Sequence, residues 1–187
     1  MYRWTNGKLR LGDMSSGYTL SLRILVGLPR GGSNIMKLSE IIESKAKEHG
    51  IPAKLIAAIV KVESGGNTYA NRYESHYKWL YKVEEFANQS MASFATEENS
   101  QKTSWGLMQV MGAVARERGF TGDFLTELCD PRLGIEYGCK HLKHYYNRYG
   151  DWKDSVAAYN AGSPRKKDNG DYVNQAYVNK VFKYFVE

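Results

Sequence analysis

The sequence predicts a mainly helical, single-domain fold, on three observations. From Met36 onward, apolar residues recur at helical spacing, and no clear two-residue alternation appears. Glycine and proline fall between these stretches at helix-stop and helix-start positions, as at Gly50, Pro52, Pro131 and Gly150. The chain has 187 residues, 42% of them apolar, enough for one domain with a real core. Residues 1–35 stand apart. They are Gly-rich and lack helical period, with Leu28 to Ser33 reading as a turn. They are expected to form an irregular leader or linker ahead of a domain spanning 36–187, and Met36 is a candidate alternative start.

The elements follow in order. Lys37–His49 form the first helix, with Leu38, Ile41, Ile42 and Ala46 on one side and Gly50 as the stop. Pro52 opens the second helix, where its missing N–H costs little, and that helix runs to Glu63. Asn67 to Lys102 reads as a short irregular entry, a helix near Tyr77–Phe86 and an exposed loop over the polar run Thr96–Gln101. Gly106–Arg118 reads as a helix ended by Gly119. Asp130 is an N-cap, with Pro131 at the first helical position. The long helix Pro131–Tyr149 carries Leu133, Ile135, Cys139, Leu142, Tyr145, Tyr146 and Tyr149 on its buried side. Helices over Asp151–Tyr159 and Tyr172–Val186 close the domain.

Composition narrows the function. The formal charge is +6 and the pI near 9.2, which favours anionic partners. The densest basic run is only Arg165–Lys167, and no nucleic-acid motif is present. Aromatics are abundant and mostly tyrosine, a side chain with a flat apolar face and a hydroxyl that suits a sugar-binding groove. Cys129 and Cys139 do not make a disulfide framework. Cys139 is expected as a buried thiol, and a bond between the two stays open. His141 and His144 are three apart on a helix. Without further ligands they read as ordinary surface or interface histidines, and no metal or other cofactor is expected. No stretch is long enough to cross a membrane. The apolar run Tyr18–Leu28 is interrupted by Arg23 and lacks a small-x-small cleavage site, so it is a poor signal peptide.

The residue of greatest chemical interest is Glu63. On a 3.6-residue period it shares the core-facing stripe of its helix with Ile56 and Ile59. A carboxyl there is partly desolvated, which raises its pKa and suits a general acid. Ser64-Gly65-Gly66-Asn67 follow and break the helix, placing the carboxyl at the mouth of a loop.

Two further segments strengthen that reading: Thr103-Ser-Trp-Gly-Leu-Met-Gln109 and Ala157-Ala-Tyr-Asn-Ala-Gly162. With Val62-Glu63-Ser64 they stand in the order Glu-Ser, Gly-Leu-Met-Gln, Ala-Tyr-Asn-Ala-Gly. Near the end, Tyr177-Val-Asn-Lys-Val181 is similar to a closing Tyr-Val-x-x-Val helix. Together these resemble the catalytic domain of the soluble lytic transglycosylases, peptidoglycan-cleaving enzymes related to goose-type lysozyme. The resemblance covers roughly 35–187. It implies a lysozyme-like domain, peptidoglycan glycan strands as substrate, and a phage or prophage source, given that Arg72-Tyr-Glu74 is similar to a segment of phage-encoded members.

The resemblance also implies roles. Glu63 would protonate the leaving oxygen and then act as base, while the 6-hydroxyl of N-acetylmuramic acid closes a 1,6-anhydro ring. Gly106 would let backbone approach the sugar, Met108 would pack against a ring, and Gln109 would bond an N-acetyl group with Ser104 beside it. Tyr159 would orient Glu63, Asn160 would hold substrate or loop, and Tyr177 would close the cleft. The wider separation between Glu63 and the Gly-Leu-Met-Gln motif departs from simpler members. Its carboxylates, Glu74 first, leave open a goose-type muramidase that hydrolyses the same bond. A non-catalytic wall-binding or structural phage protein is the reading from another class. The enzyme is expected to work as a monomer at the cell wall, as a lysin or virion component, with neither nucleic-acid binding nor membrane insertion.

Overall fold

The computed structural model describes Arg3–Thr5, Lys8–Arg10 and residues 36–186. The chain divides into two compact units, 1–35 and 36–187. In the first, β1 (Arg3–Thr5) and β2 (Lys8–Arg10) pair antiparallel, with Trp4 opposite Leu9. A strand pair therefore stands within the leader expected to be irregular. The expected turn at 28–33 and the apolar run at 18–28 lie outside the described residues.

The second unit is built of eight helices around a small sheet. Helix α1 (Leu38–His49) starts where Glu40 accepts the backbone N–H of Lys37, and Gly50 ends it in the left-handed conformation. Helix α2 (Ala53–Glu63) buries Leu55, Ile56, Ile59 and Val60, and packs on α8 (Gln175–Val186) through Val178 and Val181. The long helix α6 (Pro131–Tyr149) begins at the Asp130 cap and packs against α1 and α7 (Trp152–Ala161). Of its expected buried side, Ile135, Cys139, Leu142 and Tyr145 are buried, while Leu133, Tyr146 and Tyr149 are half-buried. Cys129 and Cys139 are both free, and burial pushes the Cys139 thiol up to about 12. Among the described residues, no helix is long and apolar enough to cross a membrane.

The middle of the chain departs from expectation in three ways. Gly106–Arg118 is not one helix. Strand β4 (Thr103–Trp105) enters a tight turn, β5 (Val110–Met111) leaves it, and only Gly112–Glu117 is helical, as α5. Gly106 at φ +70° and Gln109 at φ +48° are left-handed, which stops a right-handed helix. Strand β3 (Asn71–Tyr73) adds to β4, so the sheet runs β3-β4-β5 with Arg72 opposite Ser104 and Ser104 opposite Met111.

The helix expected near Tyr77–Phe86 begins only at Val83 (α3, Val83–Gln89), because Lys82 before it is left-handed at φ +46°. The polar run expected as an exposed loop lies wholly in helix α4 (Phe94–Gln101), capped by the Ser93 hydroxyl. Glu97 and Gln101 are fully buried there. Arg116 of α5, equally buried, explains this. Its Nε and Nη2 donate to the two oxygens of Glu97, each at 2.8 Å. Polarity read along the chain predicts exposure, but a partner distant in sequence removes the cost of burial.

Candidate active site

Helix α2 ends at Glu63 because Ser64 turns its hydroxyl back. The Ser64 Oγ–H lies within bonding distance of the Val60 carbonyl (3.1 Å) and the Leu107 carbonyl (2.8 Å). The second contact ties the helix end to the Gly106–Gln109 turn. Glu63 is thus presented half-buried at the side of a cleft of about 750 Å³. Sheet residues Arg72, Ser104 and Val110 line this cleft, together with His141 and Tyr145 of α6 and Tyr159 of α7.

Burial raises the Glu63 pKa, opposed by a hydrogen bond from Tyr177 and the charge of Arg72, and the net direction is upward. The Tyr177 hydroxyl donates to Glu63 Oε1 at 2.6 Å. Burial and the neighbouring carboxyl push Tyr177 well above its ordinary range, so it stays a donor. A carboxyl held in one orientation with its pKa raised is better suited to give a proton to a leaving oxygen.

The cleft holds two other carboxyls, Glu74 and Glu117. Glu74 Oε1 lies 2.5 Å from Arg72 Nε, an ion pair with its strand neighbour. Glu97 is excluded from chemistry by its burial against Arg116.

The residues expected to contact sugar divide sharply. Ser104 and Gln109 line the cleft but bond to each other, Ser104 Oγ to Gln109 Oε1 at 2.9 Å. The Gln109 amide nitrogen donates to the carbonyls of Ala70 and Gly106, both at 2.9 Å. Gln109 therefore ties the turn to neighbouring backbone while it lines the cleft. Gly106 is buried, and a Cβ there would sit 2.3 Å from the Leu128 carbonyl oxygen. That backbone packing, with its left-handed φ, requires glycine here. Met108 is fully buried against Gly138 and does not line the cleft. Tyr159 does line it, yet its hydroxyl donates to the Met108 carbonyl at 2.7 Å and not to Glu63. Asn160 is exposed at the cleft and accepts from Asn174 at 2.9 Å. Tyr177 reaches Glu63 from α8 and does not itself line the cleft.

Read in sequence, His141 groups with His144 as an ordinary surface or interface histidine, with no place in the cleft that it lines. It is buried in the cleft wall, its ring centre 4.9 Å from that of Tyr145 and 5.0 Å from that of Tyr159. Burial, with Arg118 nearby, brings its pKa down to about 3, so it is neutral at working pH. Spacing on α6 alone put His141 beside His144. Only the packing of α7 across α6 separates their surroundings.

The model of the transglycosylase SLT domain matches residues 40–182, which includes every element of the cleft. This chain belongs to the transglycosylase SLT family. Its domain is a lytic transglycosylase domain, and the peptidoglycan glycan strand is the substrate class of that family. Among relatives, "Protein IpgF" of Shigella sonnei is 27% identical over 129 residues, 67% of this chain and 68% of that protein. A "Transglycosylase" of Enterobacteria phage PRD1 is 24% identical over 151 residues, 81% of this chain and 44% of the phage protein. The fold matches the crystal structure of an inactive mutant of lytic transglycosylase Slt from Pseudomonas aeruginosa, with a TM-score of 0.53 and 21% identity. That match covers 78% of this chain but only 23% of the larger protein. The likeness establishes the lysozyme-like helical fold of the SLT domain.

Proposed function

We propose that this SLT domain cleaves the β-1,4 bond between N-acetylmuramic acid and N-acetylglucosamine with Glu63 as its single acid–base group. The observation that carries this is one half-buried carboxyl with a raised pKa, fixed by Tyr177, at the side of the cleft. Glu63 gives its proton to the departing glycosidic oxygen. The 6-hydroxyl of the same muramic acid then bonds to the anomeric carbon. Its proton passes to the Glu63 carboxylate, which restores the acid. No water is consumed, and the product is a 1,6-anhydro sugar. An internal nucleophile supplies high effective concentration, so no second carboxylate is required.

Ser104, Gly106, Met108 and Gln109 serve this reaction indirectly, by holding the turn against the Glu63 helix end. Tyr159 braces the same turn, Tyr177 positions the acid, and Asn160, exposed at the rim, meets substrate there. The enzyme acts as a monomer on the wall, and its positive charge suits anionic wall polymers. A phage transglycosylase among its relatives supports a phage or prophage source.

A second reading has one observation in its favour: Glu74 lines the same cleft as Glu63, and a hydrolase needs a second carboxyl there to activate water. Mass spectrometry of muropeptides released from purified peptidoglycan separates the two. Products one water lighter than reducing-end muropeptides are expected. Reducing-end products would transfer the assignment to a muramidase using Glu74.

A further inference from the structure

Trp79 is the most conspicuous side chain that the chemistry above does not use. It is 75% exposed, although it is the largest apolar side chain in its segment. A single exposed apolar side chain is ordinary, but an aromatic pair on a fixed carrier in a cleft wall is a contact surface. Here the carrier is irregular backbone, residues 74–82, between β3 and α3. It is nevertheless pinned at both ends. At the start, the Glu74 N–H donates to the Lys102 carbonyl at 2.9 Å. At the end, the Tyr81 N–H donates to Gln101 Oε1 at 2.7 Å, and Gln101 Nε2 returns a bond to the Tyr81 carbonyl at 2.8 Å. Gln101 is fully buried and also bonds Glu97, so the segment is anchored to the buried Glu97–Arg116 pair. Lys82, left-handed at φ +46°, makes the turn out of the segment at a conformational cost that these bonds offset.

The indole itself is oriented. Tyr77 meets it edge-on, ring centres 5.5 Å apart at 70°. Tyr77 and Trp79 both line the cleft that contains Glu63. Both also line a second cavity of about 320 Å³, which shares Val114 and Glu117 with that cleft. The aromatic pair is therefore continuous with the active site, and whatever runs along the cleft reaches it. A flat rigid ring offers apolar area at little entropic cost, and the C–H face of a pyranose is its natural complement.

We propose that Trp79, steadied by Tyr77 and by the buried Gln101–Glu97–Arg116 network, is a stacking platform for a sugar ring of the glycan strand at a subsite away from the cleaved bond. This rests on the glycan-cleaving reading of the cleft. The ligand is an N-acetylated hexopyranose unit and not the peptide stem. Binding energy gained there holds the strand in register while Glu63 acts on a distant bond.

The test uses the full chain carrying Glu63→Gln, so that ligand survives, and titrates it by calorimetry with chito-oligosaccharides of increasing length. Affinity is expected to rise steeply with length, and the further substitution Trp79→Ala to flatten that rise, weakening the longest ligand about tenfold. Trp79→Tyr, which keeps a flat ring, should restore most of it. With Glu63 intact, Trp79→Ala should raise KM for stem-free glycan strands and leave kcat near wild type. An unchanged length dependence in Trp79→Ala would overturn the proposal. So would a loss seen only with stem-bearing strands, since the platform would then read peptide. Product masses from the wild type, measured on the same strands, test the glycan-cleaving reading separately. Anhydro products alongside an indifferent Trp79 would discard the platform and keep the reaction.

Discussion

Glu97→Ala is the perturbation whose consequence the structure sets out most fully. The carboxylate is 1% exposed and accepts three hydrogen bonds: Arg116 Nε at 2.8 Å, Arg116 Nη2 at 2.8 Å and Gln101 Nε2 at 2.9 Å. Removing it leaves a buried guanidinium whose remaining bonds are those of Nη1 to the Phe120 and Gly122 carbonyls. Uncompensated buried charge costs about 3–5 kcal/mol. For a domain of this size each kcal/mol moves Tm by about 2–4 °C, so a fall of roughly 6–20 °C is expected. Urea unfolding followed by fluorescence should show a lower midpoint at nearly constant slope. Replacing both charges, Glu97→Leu with Arg116→Met, should recover most of the loss, because the penalty lies in the orphaned cation and not in the missing attraction. High salt should change little, since the pair is out of reach of screening ions. A cost for Glu97→Ala below about 1 kcal/mol, or a double variant as unstable as the sum of the singles, would refute the reasoning.

Glu63→Gln should lower peptidoglycan cleavage by at least about 100- to 10,000-fold, read as turbidity loss of purified walls. The same variant has a stability signature. The folded-state pKa of Glu63 is raised, so ionising it costs stability as pH climbs from its ordinary value through the folded one. Glu63→Gln should therefore gain stability relative to wild type across that window, and denaturation at pH values below and above it would show an unchanging difference if the carboxyl were not desolvated. Tyr177→Phe removes the one hydrogen bond that favours the Glu63 carboxylate, so the alkaline limb of the kcat/KM profile should move to higher pH, with a lower maximum. Gly106→Ala should destabilise by at least about 2 kcal/mol, since the new methyl meets the Leu128 carbonyl at φ +70°, and a melting curve like wild type would contradict this. Glu74→Gln should keep both cleavage and the anhydro product, whereas loss of cleavage on a par with Glu63→Gln would favour hydrolysis.

The helical frame is legible in the chain, because helices are specified by local terms. Asp130, Pro131 and Gly150 set the bounds of α6 at Pro131–Tyr149, and the apolar stripe of α2 placed Glu63 at the boundary of the core. The order of three short motifs pointed to the family, and the match over residues 40–182 establishes it. What each motif residue packs against or bonds to came only with the fold. Gln109 and Tyr159, read in sequence as substrate contacts, line the cleft and also bond carbonyls of other segments, at Ala70 and at Met108. Met108 is withdrawn into the core by the close approach of Gly138 on α6, which no local pattern reveals. The polar run before Ser104 reads as solvent-exposed until Arg116 arrives to neutralise Glu97. Tyr177, 114 residues from Glu63 in sequence, becomes its partner only when α8 packs on α2. Periodicity and capping act within a few residues, so they are legible in a string. Hydrogen-bond partners, burial of charge and the walls of a cleft depend on segments that meet only in space.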